Sequence, residues 1–296
     1  MLFKYMASLI PLFKEKQLKP EWNFDAGALI WRIFFTSNNL IIGETRNQEV
    51  KSTGFFCVDI HSGKPLWKNI GFDEQWWIGI EAVHEKWMIL HGFVRPDMPE
   101  HRGIRVIDIE SGKLLWRNDN LSLWFIDKEK LYAHKYLFEK HIACEFEIKT
   151  GTLLNEYSDN LDLLQELRQK VLQKESERQQ DVVFPELFIE KETDSDIKIV
   201  IQRITESKAL EDWIEYLLRS DILIVSHYRQ TQNKSESLLL NNILSIYDLK
   251  REKMLYNEII AQGVKAPSSD SFFVKGNLLF FIRHQTTLIA LQPWKS

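Results

Sequence analysis

Three features of this sequence predict an all-β fold of the β-propeller type. A strand–turn–strand signature recurs along the chain. Two further strand patterns precede each copy. The interval between copies suits one four-stranded unit. The clearest copies are Phe55-Phe-Cys-Val-Asp59-Ile-His-Ser-Gly63-Lys-Pro-Leu-Trp67 and Ile104-Arg-Val-Ile-Asp108-Ile-Glu-Ser-Gly112-Lys-Leu-Leu-Trp116.

In each copy, large apolar residues lead into an Asp whose carboxylate can hold the backbone of a tight turn. A Gly able to take positive φ follows, and a Trp opens the next strand. A decayed copy covers 143–155 with Glu147 in the acidic position. Another covers 244–256 with Asp248 there, but with both the Gly and the Trp replaced. The interval from 147 to 248 is about twice the others, so a further copy is expected near 201–210, with Arg203 in the acidic slot. A truncated copy at 287–292 lacks its last strand, which the N-terminal segment around Trp22 can supply. Six four-stranded blades are expected, with five as the alternative. They would form a single domain over 1–296, closed by the N-terminal strand.

The remaining strands are read at 29–35 and 40–44, 76–83 and 87–93, 122–126 and 130–136, 213–218 and 222–228, and 271–274 and 278–283. One segment departs from this pattern. Leu161, Leu164, Leu167, Val171 and Leu172 recur at helical spacing among good helix formers. They predict an inserted amphipathic helix near 161–178, capped by Asp159 or Asn160, with a polar tail over 173–180.

Composition narrows the function classes. Lys and Arg total 38 against 42 Asp and Glu, a net charge of −4. A general nucleic-acid binder usually carries a basic excess. Ten Trp and 18 Phe point to a core or clefts filled with large rings. Cys57 and Cys144 stand far apart and read as small buried hydrophobes rather than a disulfide framework. The apolar start is broken by Pro11 and followed by Lys14-Glu-Lys16, unlike an export signal. No apolar run approaches the roughly 20 residues that span a bilayer, so no membrane span and a cytoplasmic location are expected.

The two best copies resemble the quinoprotein-type propeller repeat, which carries an acidic residue, a Ser/Thr-Gly-Lys turn and a Trp that docks one blade on the next. The resemblance is specific over 55–69 and 104–118. As a whole the chain is similar to an uncharacterised family of bacterial propeller-like proteins. The resemblance raises pyrroloquinoline quinone as a cofactor. Enzymes of that type resemble eight-bladed rings about twice this length, and many place two adjacent cysteines over the quinone. Cys57 and Cys144 do not match that pattern, so no cofactor is expected. Repeat similarity identifies the blade, not the activity.

Blade topology puts the A–B and C–D turns on one face and the B–C and D–A connections on the other. Long B–C loops are read at 45–53, 95–102 and 230–237, on the same face as the inserted helix. Function is therefore expected on that face. Each first strand carries an aromatic near its start: Trp31, Trp77, Trp124, Trp213 and Phe273. These could form an aromatic collar at the channel mouth. Arg95, His101 and Arg102 form a stiff charged loop suited to an anionic ligand. Acidic residues precede the aromatics: Asp25, Asp73, Glu74, Asp119, Asp212 and Asp270. Turn chemistry is the ordinary use of such residues. If Asp73, Asp119, Asp212 and Asp270 converged on the axis they could hold Ca²⁺ or Mg²⁺. The eight His are dispersed, with no HxH or HExxH. No GxSxG, Walker A or GxGxxG pattern occurs.

The expected function is a non-enzymatic, monomeric binding propeller with an unknown protein or small-molecule partner. The alternative is a small lactonase-like hydrolase with an axial cation.

Overall fold

The computed structural model describes residues 18–94, 100–137, 140–158, 161–179, 181–206, 209–231 and 239–295. The fold is an all-β propeller of five antiparallel sheets, the alternative to the six expected from the repeats.

Sheet 1 holds β2 (Leu29–Phe35), β3 (Leu40–Asn47), β4 (Ser52–Asp59) and β5 (Pro65–Ile70). Its chain-order neighbour, sheet 2, holds β6 (Ile78–His84), β7 (Trp87–Phe93), β8 (His101–Asp108) and β9 (Leu114–Asn118). Sheet 3 holds β10 (Ser122–Asp127), β11 (Lys130–Leu137), β12 (Lys140–Glu147) and β13 (Leu153–Tyr157). Sheet 4 holds β16 (Glu215–Arg219), β17 (Ile222–Gln230), β18 (Leu240–Asp248) and β19 (Lys253–Val264). The last sheet runs β20 (Phe272–Lys275), β21 (Leu278–Arg283) and β22 (Thr287–Leu291), and is completed by β1 (Trp22–Asp25). Trp22 lies opposite Ala290 and Phe24 opposite Leu288, so the N-terminal strand closes the last sheet as expected.

The repeat signature explains how the sheets join. Asp59 and Asp108 accept hydrogen bonds from Ser62 and Ser111 within their turns. Gly63, Gly112 and Gly151 follow at φ 65°, 68° and 72°. Each glycine lies under an indole from the preceding sheet. A Cβ on Gly63 would stand 2.5 Å from Trp22, one on Gly112 3.2 Å from Trp67, and one on Gly151 2.6 Å from Trp116. The same indoles donate Nε1–H to the carbonyls of Ile60 at 3.0 Å, Ile109 at 2.7 Å and Ile148 at 2.7 Å. Glycine is required twice over, by its backbone conformation and by the ring above it. Trp22 is buried, whereas Trp67 and Trp116 keep one edge in solvent.

Apolar clusters fill four joints: sheets 5 and 1, 1 and 2, 2 and 3, and 4 and 5. At the 4–5 joint Tyr256 occupies the Trp position and packs near Phe281. The joint between sheets 3 and 4 is built differently. Asn155 occupies the Trp position and donates to Glu145 of its own sheet at 3.0 Å. Glu252 takes the positive-φ turn position in sheet 4. Among the described residues, no apolar cluster joins these two sheets. Sheet 3 instead packs helix α1 (Asp162–Gln179) through Leu164 and Val171, and sheet 4 packs helix α2 (Ser195–Thr205).

Helix α1 matches the expected insertion, although Leu172 is exposed rather than part of its packed stripe. The expected caps at 159 and 160 lie outside the described residues. The sixth blade expected near 181–210 is corrected by α2. Asp194 caps its N-terminus by accepting from Asp196 and Ile197, and Ile197, Ile201 and Ile204 bury one face. Arg203 therefore sits in a helix, not in a turn. Arg229 of β17 donates to the Ile204 and Thr205 carbonyls at the helix C-terminus, where a cation is favoured. Two short strands precede α2. β14 (Val182–Val183) pairs with β20, and β15 (Glu186–Leu187) pairs with β16.

The docking pairs generate a stability prediction. Trp67→Ala and Trp116→Ala should each cost about 3 kcal/mol in urea unfolding. Trp67→Phe, which keeps a ring but loses the donated hydrogen bond, should cost about 1 kcal/mol. Gly112→Ala should cost about 2 kcal/mol or more, because it strains the left-handed turn and crowds the indole. Losses under about 1 kcal/mol in both Trp→Ala variants would show that these rings do not hold the joints.

Candidate functional site

The second strand of four of the five sheets delivers a polar or ionisable side chain at its fifth residue: Glu44 in β3, His91 in β7, His134 in β11 and Ser226 in β17; β21 has Ile282 there. All four approach the B–C end of their sheets, where β3 and β4, for example, extend to Asn47 and Ser52. The long loop expected at 45–53 is thus corrected. Most of it is paired strand, closed by a turn at 48–51. Most of the other two expected loops, at 95–102 and 230–237, lies outside the described residues, Arg95 included.

In sheet 1, Glu44 is buried and pairs with Arg46 at 2.6 Å. Its other oxygen accepts the Ile80 N–H of sheet 2 at 2.8 Å, while Arg46 donates to the Trp76 and Ile78 carbonyls. This ion pair is structural, because each partner is used in stitching two sheets. A cleft of about 410 Å³ lies beside it, lined by small and polar residues including Gly27, Thr45, Asn47, Thr53, Asn69 and Gln75.

Sheets 2 and 3 carry a matching pair of clusters. In sheet 2, His101 lies directly across from Phe93, two residues beyond His91. The His91 and His101 rings stack at 3.5 Å, with Phe93 edge-on to both. A β-bulge between Ile80 and Ala82 frees Glu81 from the ladder. Its Oε2 lies 2.6 Å from His101 Nδ1 and 3.9 Å from His91 Nε2. In sheet 3, His141 lies across from Tyr136, two residues beyond His134. His134 Nδ1 is 3.1 Å from His141 Nε2. Tyr136 stacks on His141 at 4.5 Å, and Trp124, also at a bulge, completes the cluster against both imidazoles.

The residues singled out from the sequence fall as follows. Trp124 joins the sheet 3 cluster. Trp77 packs edge-on to Phe93. Trp31, Trp77 and Trp213 are exposed, and among the described residues no ring contact joins any two of the four tryptophans into a collar. Phe273 is held between Phe35, Phe184 and Phe280. His101 belongs to the sheet 2 cluster, and Arg102 donates to Asn120 at 3.3 Å.

The acidic residues serve turns and arginines. Asp25 accepts from Gly27, and Glu74 accepts from Trp76 and Trp77. Asp73 pairs with Arg105 at 3.6 Å and Arg117 at 2.9 Å, and Asp119 pairs with Arg117 at 3.6 Å. Asp212 lies in a short 3₁₀ turn, and the Asp270 N–H is donated to Glu215. Among the described residues, the group of three metal-ligating side chains is Glu81, His91 and His101. It contains none of Asp73, Asp119, Asp212 or Asp270. No motif marks this group, because its members come from three strands. The available signal was the shared place of His91 and His134 in successive blades.

Burial sets the charge state of these groups. It pushes the His91 imidazole down to about 4, assisted by the nearby His101, Arg32 and Arg46 charges and opposed by the bond to the Gly92 carbonyl. His227 of sheet 4 is likewise held near 4 by burial and by Arg229, whose Nε–H is donated to its Nε2. His134 and His141 are lowered chiefly by burial. The thiol of Cys57 is pushed up to about 12 by burial, and Cys144 is also raised. These cysteines are packing groups, not nucleophiles.

Residues 36–116 match the model of a domain of unknown function, DUF4905. That span contains both of the best repeats and the Glu81, His91 and His101 group. No curated protein matches the chain. Among solved structures, the chain is similar to the β-propeller domain of the Trilobed protease from Pyrococcus furiosus, at 11% identity and TM-score 0.32, covering 90% of this chain and 70% of that one. It is also similar to an uncharacterized protein from Listeria monocytogenes EGD-e, at 11% identity and TM-score 0.33, covering 88% and 93%. The Neurospora crassa Pan2 WD40 domain matches at 10% identity and TM-score 0.24, covering 95% and 97%.

The two buried imidazoles predict a pH dependence. A histidine with a lower pKa folded than unfolded binds its proton preferentially in the unfolded state. Its stabilising contribution is therefore complete above about pH 6.5 and declines as pH falls toward about 4. Each of His91 and His227 should steepen the loss by about 1.4 kcal/mol per pH unit within that window. Urea unfolding at pH 7.5 and 5.5 measures the loss, and NMR of the ring nitrogens should show both imidazoles still neutral at pH 5.5. Protonation of both near 6.5 in the folded protein would contradict this.

Proposed function

We propose that this protein is a non-enzymatic binding propeller that recognises a protein or small-molecule partner with the face bearing the B–C and D–A connections. The observation that carries this reading is the sheet 3 cluster. Tyr136 is 67% exposed yet held in place, stacked on His141 beside Trp124. A rigid ring with an apolar face and a polar tip is the usual anchor of a binding surface. The sheet 2 cluster and the small-residue cleft of sheet 1 extend the same face.

The chemistry of the face supports binding over turnover. Burial lowers the imidazoles of His91, His134 and His141, and the cysteines are buried with raised thiols. The carboxylates Asp73 and Asp119, which the hydrolase alternative needs at an axial cation, are engaged by arginines. The reading requires no cofactor. The Ser-Gly-Lys turns and docking tryptophans favour placing the chain with quinoprotein-type propellers as a scaffold. The two free cysteines suit a reducing, cytoplasmic setting. No helix among the described residues is long and apolar enough to cross a membrane. The net charge of −4 disfavours nucleic acid as the partner.

The test compares molecules that co-purify with the tagged chain and with two double variants. Tyr136→Ala with His141→Ala alters the proposed face. Lys113→Glu with Lys149→Glu alters the C–D turns on the opposite one. A binder lost only from the first variant is expected. A binder lost only from the second would move the binding surface to the other face and overturn the reading.

A further inference from the structure

We propose that Glu81, His91 and His101 form a binding site for a divalent transition-metal ion of the Zn²⁺ class. Three ligand atoms, two imidazole nitrogens and one carboxylate oxygen, lie within 4.8 Å of one another. They come from three neighbouring strands of one sheet, so the backbone around them is already ordered before any ion arrives.

Each ligand is prepared differently. His91 is buried, and its Nδ1 lies 3.1 Å from the Gly92 carbonyl. A carbonyl oxygen can only accept, so Nδ1 carries the hydrogen and Nε2 presents a lone pair. A carbonyl that accepts from the far ring nitrogen is the usual partner of a metal-bound histidine. Glu81 is aimed by its bulge rather than spent on the ladder. His101 is the adjustable member. It begins β8 at the rim, and its side chain is 36% exposed. In the metal-free arrangement His101 Nδ1–H is donated to Glu81 Oε2 at 2.6 Å. On binding, the ring takes the other tautomer, with its hydrogen on Nε2, and Nδ1 and Oε2 both turn their lone pairs to the ion.

Metal–ligand bonds of about 2.0–2.2 Å in a tetrahedron set neighbouring donors roughly 3.3 Å apart. The 2.6 Å contact must therefore open, by a turn of the His101 ring out of its stack on His91, and the 3.9 Å contact must close, by a small shift of the Glu81 side chain toward His91. Three protein donors leave a fourth position for water.

The donor set selects the ion. Imidazole suits Zn²⁺, Ni²⁺ and Cu²⁺, whereas Ca²⁺ and Mg²⁺ require mainly oxygen donors. The surrounding charge moderates affinity. Arg46 is offset by Glu44, but Arg32, donating to the Ile80 carbonyl, is not neutralised by it. Binding in the micromolar range is expected rather than the tighter binding of closed structural sites. This site is separate from the sheet 3 cluster, whose four rings include no carboxylate.

The test uses the full chain, dialysed against chelator and titrated with Zn²⁺ by calorimetry and with Co²⁺ by visible absorption. One equivalent should bind, raising the thermal midpoint and giving the intense band of low-coordinate Co²⁺. His101→Ala and Glu81→Gln should each weaken binding at least about tenfold, the lower end of what loss of a ligand's own hydrogen-bond partner causes. Both should leave the metal-free thermal midpoint near that of the unaltered protein. His141→Ala should bind as tightly as the unaltered chain. Failure of the unaltered chain to bind at millimolar ion would overturn the proposal, as would undiminished binding by both ligand variants. Neither result depends on whether Tyr136 and His141 recognise a partner.

Discussion

An indole laid flat over a glycine is the contact on which this propeller is assembled. The ring supplies a large apolar face, the glycine removes the Cβ that would hold the ring away, and Nε1–H is spent on the carbonyl beside it. Each element needs the others. The glycine must turn at positive φ to reverse the chain, and the same reversal presents an unshielded backbone to the neighbouring sheet. Because the Trp always belongs to one sheet and the glycine to the next, the contact fixes both the order and the relative rotation of the sheets. Trp22 applies this contact across the closure of the chain, so the first strand finishes the last sheet and docks it on sheet 1.

The contact is made at three joints, and Tyr256 stands in for the indole at the joint of sheets 4 and 5; the joint of sheets 3 and 4, which has neither, shows what the ring supplies. At sheet 3 the Trp position holds Asn155, which turns back to Glu145 together with Tyr157 and Lys130. Burial alone would raise the Glu145 carboxyl, but those three partners outweigh it and hold it below the usual range. This polar knot stabilises its own sheet and offers no apolar face to the next. Helices α1 and α2 cover the apolar surfaces of sheets 3 and 4 that an adjoining sheet would otherwise bury. Helix α1 meets sheet 3 through a modest cluster, whereas α2 buries Ile201 fully against Leu223 and Val225 of sheet 4.

The docking pairs were legible in the sequence because turn chemistry is local. Asp, Ser, Gly and Trp stand within a dozen residues of each other, and the same order repeats. The strands around them followed, and so did α1, whose leucines recur at helical spacing over several turns. Helix α2 was hidden by the repeat itself. The wide interval between Glu147 and Asp248 invited another blade, and Ile201 was read as a strand residue. Its helical neighbours Ile197 and Ile204, with Asp194 as cap, carried the contrary signal. The histidine clusters were illegible by motif because strand pairing, not sequence adjacency, brings His91 to His101 and His134 to His141. A bulge then adds Glu81 to one pair and Trp124 to the other. The axial carboxylates failed for the opposite reason. Residues before each inner strand share a place in the repeat, but arginines engage Asp73 and Asp119, and Asp25 and Glu74 accept from backbone amides of their own turns.

Sheets 4, 5, 1, 2 and 3 form one continuously packed arc, and among the described residues the facing sides of sheets 3 and 4 are each covered by a helix rather than packed on one another. Native-state hydrogen exchange read by mass spectrometry measures this directly. The account predicts that α1, α2 and β13 exchange through a partial opening of low free energy, while β3, β7 and β21 exchange only with global unfolding. Equal protection of the helices and those central strands, lost together in one transition, would contradict it.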